Sequence, residues 1–211
     1  MTCRTASLVL LGLTAVGRPA WAQSAALHLG AGQVRAEQVF SVGDTVARSG
    51  TAWGVDGAFG FGPATLAVRY LEGSLASDDA STETDLVEGE VILWIAPVRW
   101  AALGAGPHAR AYVQAGGTER WTMWEVRARG NAQLTGTLTA YGELWTVLGS
   151  GLPVTGSLDR GLGLEGGLRI VFGRLPFSAQ LRYRVNQLAV ADGGRLETLE
   201  QLGIAVGIGR R

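Results

Sequence analysis

Two histidines, His28 and His108, are the side chains here best suited to general-base chemistry near neutral pH. Hydrolysis would need one of them beside a Ser, Asp or Glu. Neither G-x-S-x-G nor H-E-x-x-H occurs in the chain. Both histidines stand at the start of alternating segments, 25–35 and 107–116, so both read as inward or rim polar residues near one end of the fold. The sharper alternative is a His28–His108 metal pair across a closed structure. Gly30-Ala31-Gly32 and Gly60-Phe61-Gly62 have no helix after them and read as strand glycines, not as a nucleotide loop. Between Glu72 and Glu90 stand seven acidic residues and no basic one: Glu72, Asp78, Asp79, Glu83, Asp85, Glu88 and Glu90. The simple reading is a solvated loop. The sharper one is Ca²⁺ held by Asp78, Asp79, Glu83 and Asp85, although the EF-hand spacing D-x-D-x-D-G is absent. No other cofactor is expected, and no catalysis.

The cations are all arginine. The 211 residues hold 18 Arg, no Lys and 18 Asp+Glu, a formal net charge of zero, which argues against a nucleic-acid partner. Hydrophobic residues make up 47% and charged residues 17%, which excludes a disordered chain. One Cys excludes a disulfide scaffold or a Cys-based zinc site. Glycine is in excess at 32 residues, without the three-residue period of collagen.

These side chains must be positioned by an exported, all-β domain. Arg4, the apolar run Leu8 to Val16 and Ala20-Trp21-Ala22 have the order of a cleaved export signal over 1–22, leaving 23–211 as one domain. No later apolar run is long enough for a transmembrane helix. Period-two alternation recurs instead. Leu162, Leu164, Leu168 and Ile170 alternate with Gly163, Glu165 and Arg169. Ala179, Leu181, Tyr183 and Val185 alternate with Gln180, Arg182 and Arg184. Leu202, Ile204, Val206 and Ile208 alternate with Gln201, Gly203, Ala205 and Gly207. With 25–35, 51–62, 64–72, 86–96, 107–116, 119–129 and 134–145 these make ten strands. Eight is the alternative, with 117–160 as one long loop. Tight turns are expected at Gly62-Pro63, Gly130-Asn131 and Gly173-Arg174-Leu175-Pro176, and longer polar connections at 37–50, 73–85, 147–160 and 189–196.

A soluble exported β-sandwich or barrel would carry a richly charged outer face. Here the second face is Gly, Ala, Thr and Gln with sparse Arg and Glu, which suits the lumen of a small membrane barrel. Strands of about ten residues match a tilted crossing of the hydrocarbon layer. Trp53, Phe61, Tyr70, Trp94, Trp121, Trp124, Trp145, Phe172 and Phe177 lie near strand ends, as interfacial girdles do.

With its export signal, its repeated alternating strands and the stretch Ala111-Tyr112-Val113-Gln114-Ala115-Gly116-Gly117, the chain resembles the small outer-membrane β-barrel proteins of Gram-negative-type bacteria. The resemblance implies a closed antiparallel up-and-down transmembrane β-barrel in the outer membrane. It implies contact with outer-membrane lipid and lipopolysaccharide, delivery by the barrel assembly machinery, and a monomer. The chain ends Ile208-Gly209-Arg210-Arg211, where such barrels usually end in an aromatic residue.

In so small a barrel the inward side chains fill the interior. The alternation places Arg69, Glu88, Glu90, Arg110, Glu125, Arg127, Arg129, Glu143, Glu165, Arg169, Arg182 and Arg184 there as a structural charge network. An unpaired charge in that space costs several kcal/mol, so these should pair. Strands 25–35 and 197–208 should meet at the closure. Their inward Gly30, Gly32, Gly203, Ala205 and Gly207 leave space for Arg182 and Arg184. The expected role is structural or surface-interacting, with a plugged lumen. A narrow channel or carrier for small or hydrophobic molecules is the alternative.

Overall fold

The computed structural model describes residues 24–77, 82–150, 158–173, 175–190 and 194–210. The expected export signal, with its Ala20-Trp21-Ala22 site, lies outside the described residues. Ten strands follow in order: β1 (Ser24–Val39), β2 (Thr45–Phe61), β3 (Ala64–Ser77), β4 (Glu83–Val98), β5 (Ala101–Gln114), β6 (Gly117–Gln133), β7 (Leu138–Ser150), β8 (Leu158–Val171), β9 (Phe177–Val190) and β10 (Arg195–Arg210). Each pairs antiparallel with its sequence neighbours, and β1 closes on β10. The sheet is therefore a barrel without free edges. The ten-strand form holds, because 117–160 carries β6, β7 and the start of β8.

The alternation places apolar side chains outside. On β10, Leu202, Ile204, Val206 and Ile208 are exposed, while Gln201 and Ala205 between them are buried in the lumen. Leu29 on β1, Phe59 on β2, Val68 on β3, Leu93 on β4, Leu103 on β5, Val126 on β6, Leu144 on β7, Leu164 on β8 and Leu181 on β9 continue the belt. Water-facing surfaces break up apolar patches of this extent. A closed barrel can present such a belt to lipid because its backbone hydrogen bonds run between strands. This overturns the soluble alternative: the fold is a transmembrane β-barrel.

Strand length differs from expectation. The strands run 13 to 17 residues, where about 9–11 would cross the hydrocarbon layer. The surplus projects at the end bearing the 40–44 and 78–82 connections, and there the outward positions turn polar. Gln33, Arg35 and Glu37 stand outside β1, and Glu83 and Asp85 outside β4. The expected connections 37–50 and 73–85 thus become strand projections around short loops. Likewise β7 runs to Ser150, and β9 to Val190 with β10 resuming at Arg195. Their polarity reflects solvent on both sides of a projecting sheet.

At the opposite end, Gly62 and Gly173 sit in tight turns at φ 60° and 56°, a backbone conformation that favours glycine. The expected turn at Gly130-Asn131 is displaced. β6 continues to Gln133 and the chain reverses over 134–137. There the Thr135 hydroxyl accepts from the Thr137 and Leu138 backbone N–H groups. Leu134-Thr135-Gly136-Thr137 has the period of a strand, but the hydroxyl captures the backbone.

Candidate functional site

The inward side chains sort into three levels along the barrel. At the projecting end, Val34, Leu71, Leu75, Leu86, Tyr112, Trp121, Met123, Leu188 and Leu199 form an apolar core, none more than 3% exposed. The alternation does not predict this core: it puts an Arg/Glu network among small inward residues. Trp121 and two other aromatics assigned to the girdles, Trp94 and Trp145, are buried inside instead. Trp53, Phe61, Tyr70, Trp124, Phe172 and Phe177 do face outward.

The middle level is a single connected ion-pair network. Arg69 on β3 reaches Asp56 at 2.7 Å, Glu165 across the lumen at 2.9 Å and Glu90 at 3.4 Å. Arg127 on β6 holds Glu90 at 2.6 Å, Glu125 at 2.5 Å and Glu143 at 2.8 Å. Arg129 shares Glu143, and Arg184 shares Glu90. Arg110 on β5 joins Glu88 at 2.6 Å to Glu197 at 2.7 Å, and Tyr112 donates to the same Glu197 oxygen. Arg182 closes the set on Asp56 at 2.7 Å. His108 bridges the two halves, with Nδ1 2.8 Å from Glu125 and Nε2 3.2 Å from Glu88.

The network counts six arginines (69, 110, 127, 129, 182, 184) against seven carboxylates (56, 88, 90, 125, 143, 165, 197). Carboxylate oxygens only accept, so His108 donates to both partners only with a proton on each ring nitrogen. Its charge then balances the set, seven against seven. Buried ions are stable only when paired in this way.

Eleven of the twelve sequence-assigned charges lie in these pairs, and the twelfth, Arg169, lines a cavity below them. The sequence reading missed Asp56, His108 as a bridge, and Glu197. The signal was present: outward Trp53, Val55 and Phe59 force Asp56 inward, and Glu197 shares the parity of Gln201 and Gly203. The histidines do not pair. His28 Nε2 lies near Ser178 Oγ at 3.0 Å and Gln180 Nε2 at 3.2 Å. His108, expected inward or at the rim near one end, is inward, 1% exposed and midway along β5.

Glu90, His108 and Glu125 bring candidate ligand atoms within 4.8 Å of one another. Arg127 already holds both carboxylates there, so a dication would sit against a guanidinium. In the acidic stretch, Glu83 accepts from Ser74 Oγ at 2.6 Å, and Asp78 and Asp79 lie outside the described residues.

Inward rings lie over glycines in register on the next strand. Trp94 covers Gly104, Trp145 covers Gly163, Tyr141 covers Gly167 and His28 covers Gly207. A Cβ on Gly163 would stand 2.2 Å from Trp145 Cε2. The flattened rings give the arginines faces to stack on. Arg127 and Arg184 each sit 4.8 Å from the Trp145 centroid, and Arg129 4.1 Å from Trp94.

The third level, at the tight-turn end, is a cavity of about 610 Å³. Asp56, Arg69, Glu90 and Glu165 of the network form its inner wall, and Arg99 and Trp100 of the β4–β5 turn stand at its mouth.

No family model matches the chain, and no curated protein matches it. Solved structures do. The outer membrane protease OmpT from Escherichia coli is 10% identical, with 89% of this chain and 96% of that chain covered at a TM-score of 0.54. This is the fold of the bacterial outer-membrane β-barrels. Neisserial surface protein A is 14% identical (87% and 97% covered, TM-score 0.42), and the translocator domain of NalP from Neisseria meningitidis 12% (85% and 87%, TM-score 0.42). At such identities the likeness of this outer-membrane barrel to OmpT extends to the fold alone.

Proposed function

We propose that this barrel is a sealed, non-catalytic structural element of the outer membrane. On this reading it is delivered after removal of residues 1–22 and inserted by the barrel assembly machinery. It works as a monomer, presenting its projecting strands to lipopolysaccharide and the surroundings. The observation that carries the reading is the two-level closure of the lumen. An ion network drawing on β2 through β10 lies below an apolar core that is almost wholly buried. Ions crossing would have to break several buried pairs and then enter hydrocarbon-like packing, each costing several kcal/mol. His108 is held through both ring nitrogens and buried, so it is not free to act as a general base. The experiment is conductance of the refolded protein in a planar lipid bilayer. The reading expects silence. Stable single-channel steps would replace it with the narrow channel.

A further inference from the structure

We propose that the cavity at the tight-turn end is a binding site for a small organic anion: an apolar or aromatic body bearing one carboxylate, sulfonate or phosphate group. The proposal goes beyond the sealed-barrel reading and stands whether or not the lumen conducts.

Size comes first. About 610 Å³ falls within the few hundred to a thousand Å³ of small-molecule sites. Charge comes second. The lining holds six arginines (69, 99, 127, 129, 169, 182) against three carboxylates, Asp56, Glu90 and Glu165. Each of those carboxylates is already held by network arginines, Asp56 by two and Glu90 by three. Glu125 and Glu143, the other partners of Arg127 and Arg129, are not among the lining residues, so an entering anion meets walls richer in guanidinium than in carboxylate, of lower dielectric than water. Guanidinium is the side chain that takes carboxylate or phosphate through two parallel bonds.

Body comes third. Ala58, Ala67, Ile92, Trp94 and Trp100 supply apolar and aromatic wall between the arginines. A bare inorganic anion would leave that wall unused. Access comes last. Arg99, Trp100 and Gln133 at the mouth are exposed, and the far side ends on the ion network. The site is a blind pocket filled from the tight-turn end.

The test is calorimetric titration of the refolded barrel in lipid nanodiscs, with empty nanodiscs subtracted, using naphthalene-2-carboxylate, naphthalene-2-methanol and inorganic phosphate. The carboxylate should bind saturably at one per barrel. The neutral alcohol should bind at least tenfold more weakly, and phosphate alone should not displace the carboxylate. Phenyl phosphate against benzoate then separates a phosphate from a carboxylate preference. Arg99→Gln with Arg169→Gln should weaken the carboxylate at least tenfold while the heat-modifiable gel shift shows an intact barrel. If that pair does not fold, Ala58→Trp, which fills the pocket without removing charge, should abolish binding. Equal affinity for acid and alcohol, heat no greater than that of empty nanodiscs, or full affinity in the filled or folded charge-deleted variant would each overturn the proposal.

Discussion

Arg182 Nη1 on β9 lies 2.7 Å from Asp56 Oδ2 on β2, with two whole strands, β10 and β1, between them. The reach is open because the floor beneath it is bare. Arg182 is in register with Gly203, Gly203 with Gly32, and Gly30 and Ala205 lie alongside. The seam where the barrel closes is thus also the channel through which one guanidinium crosses the lumen. β1 supplies none of the network's charges; its contribution at this level is the absence of side chains.

We predict from this that Gly32→Val destabilises the barrel by about 1–3 kcal/mol, the usual range for overpacking. A Cβ at position 32 would stand 2.3 Å from the Leu202 carbonyl oxygen and 2.7 Å from Gly203 Cα. Gly142, whose Cβ would meet nothing within 4 Å, gives the control substitution, Gly142→Ala. Urea unfolding in lipid vesicles measures both. Equal midpoints would refute the steric account.

Arg127 bonds three carboxylates, so Arg127→Met takes one partner from each of Glu90, Glu125 and Glu143 and leaves the network a cation short. Breaking a buried pair by removing one partner costs about 3–5 kcal/mol. The exposed pair Arg35–Glu37, 3.7 Å apart on the projecting part of β1, should show within about 0.5 kcal/mol of no effect in Arg35→Gln. The same unfolding assay decides. A small loss at Arg127 would mean that the network is solvated.

Much of this was legible. Leu202 to Ile208 fixes which side of β10 meets lipid, and the same alternation through Leu162, Leu164 and Leu168 on β8 and Leu181 and Tyr183 on β9 places Glu165, Arg182 and Arg184 inside. Loop length was not legible, because a projecting strand such as Gln33 to Glu37 is as polar as a loop. Trp94, Trp121 and Trp145 were misplaced by proximity to strand ends, although their parity with Glu90, Glu125 and Glu143 points inward. The layering of apolar core, ions and cavity depends on which residues share a height. That is set by the stagger between strands, which alternation within one strand does not report.

Trp145 and Gly163 form a pair whose members fit only each other. We predict that Gly163→Ala lifts the indole off the sheet and away from Arg127 and Arg184, with a loss of about 1–3 kcal/mol. Adding Trp145→Leu should recover part of that loss, giving a coupling energy above about 0.5 kcal/mol in a double-mutant cycle. Strict additivity would show that ring and glycine do not constrain one another.

His108 is the seventh cation set against seven carboxylates, and its hydrogen bonds and its charge can be removed separately. His108→Gln keeps a donor near Glu125 or Glu88 but leaves the set one charge short. His108→Leu removes both. We therefore predict the stability order wild type, then Gln, then Leu, with the Leu variant losing about 3–5 kcal/mol as for any broken buried pair. Charge balance makes a further demand that packing alone does not. Glu125→Gln, harmful by itself, should partly rescue His108→Leu, because the double variant restores six cations to six carboxylates. Unfolding of the four proteins in vesicles gives the cycle. If the double variant is no better than the sum of the singles, charge balance is not what holds His108 in place.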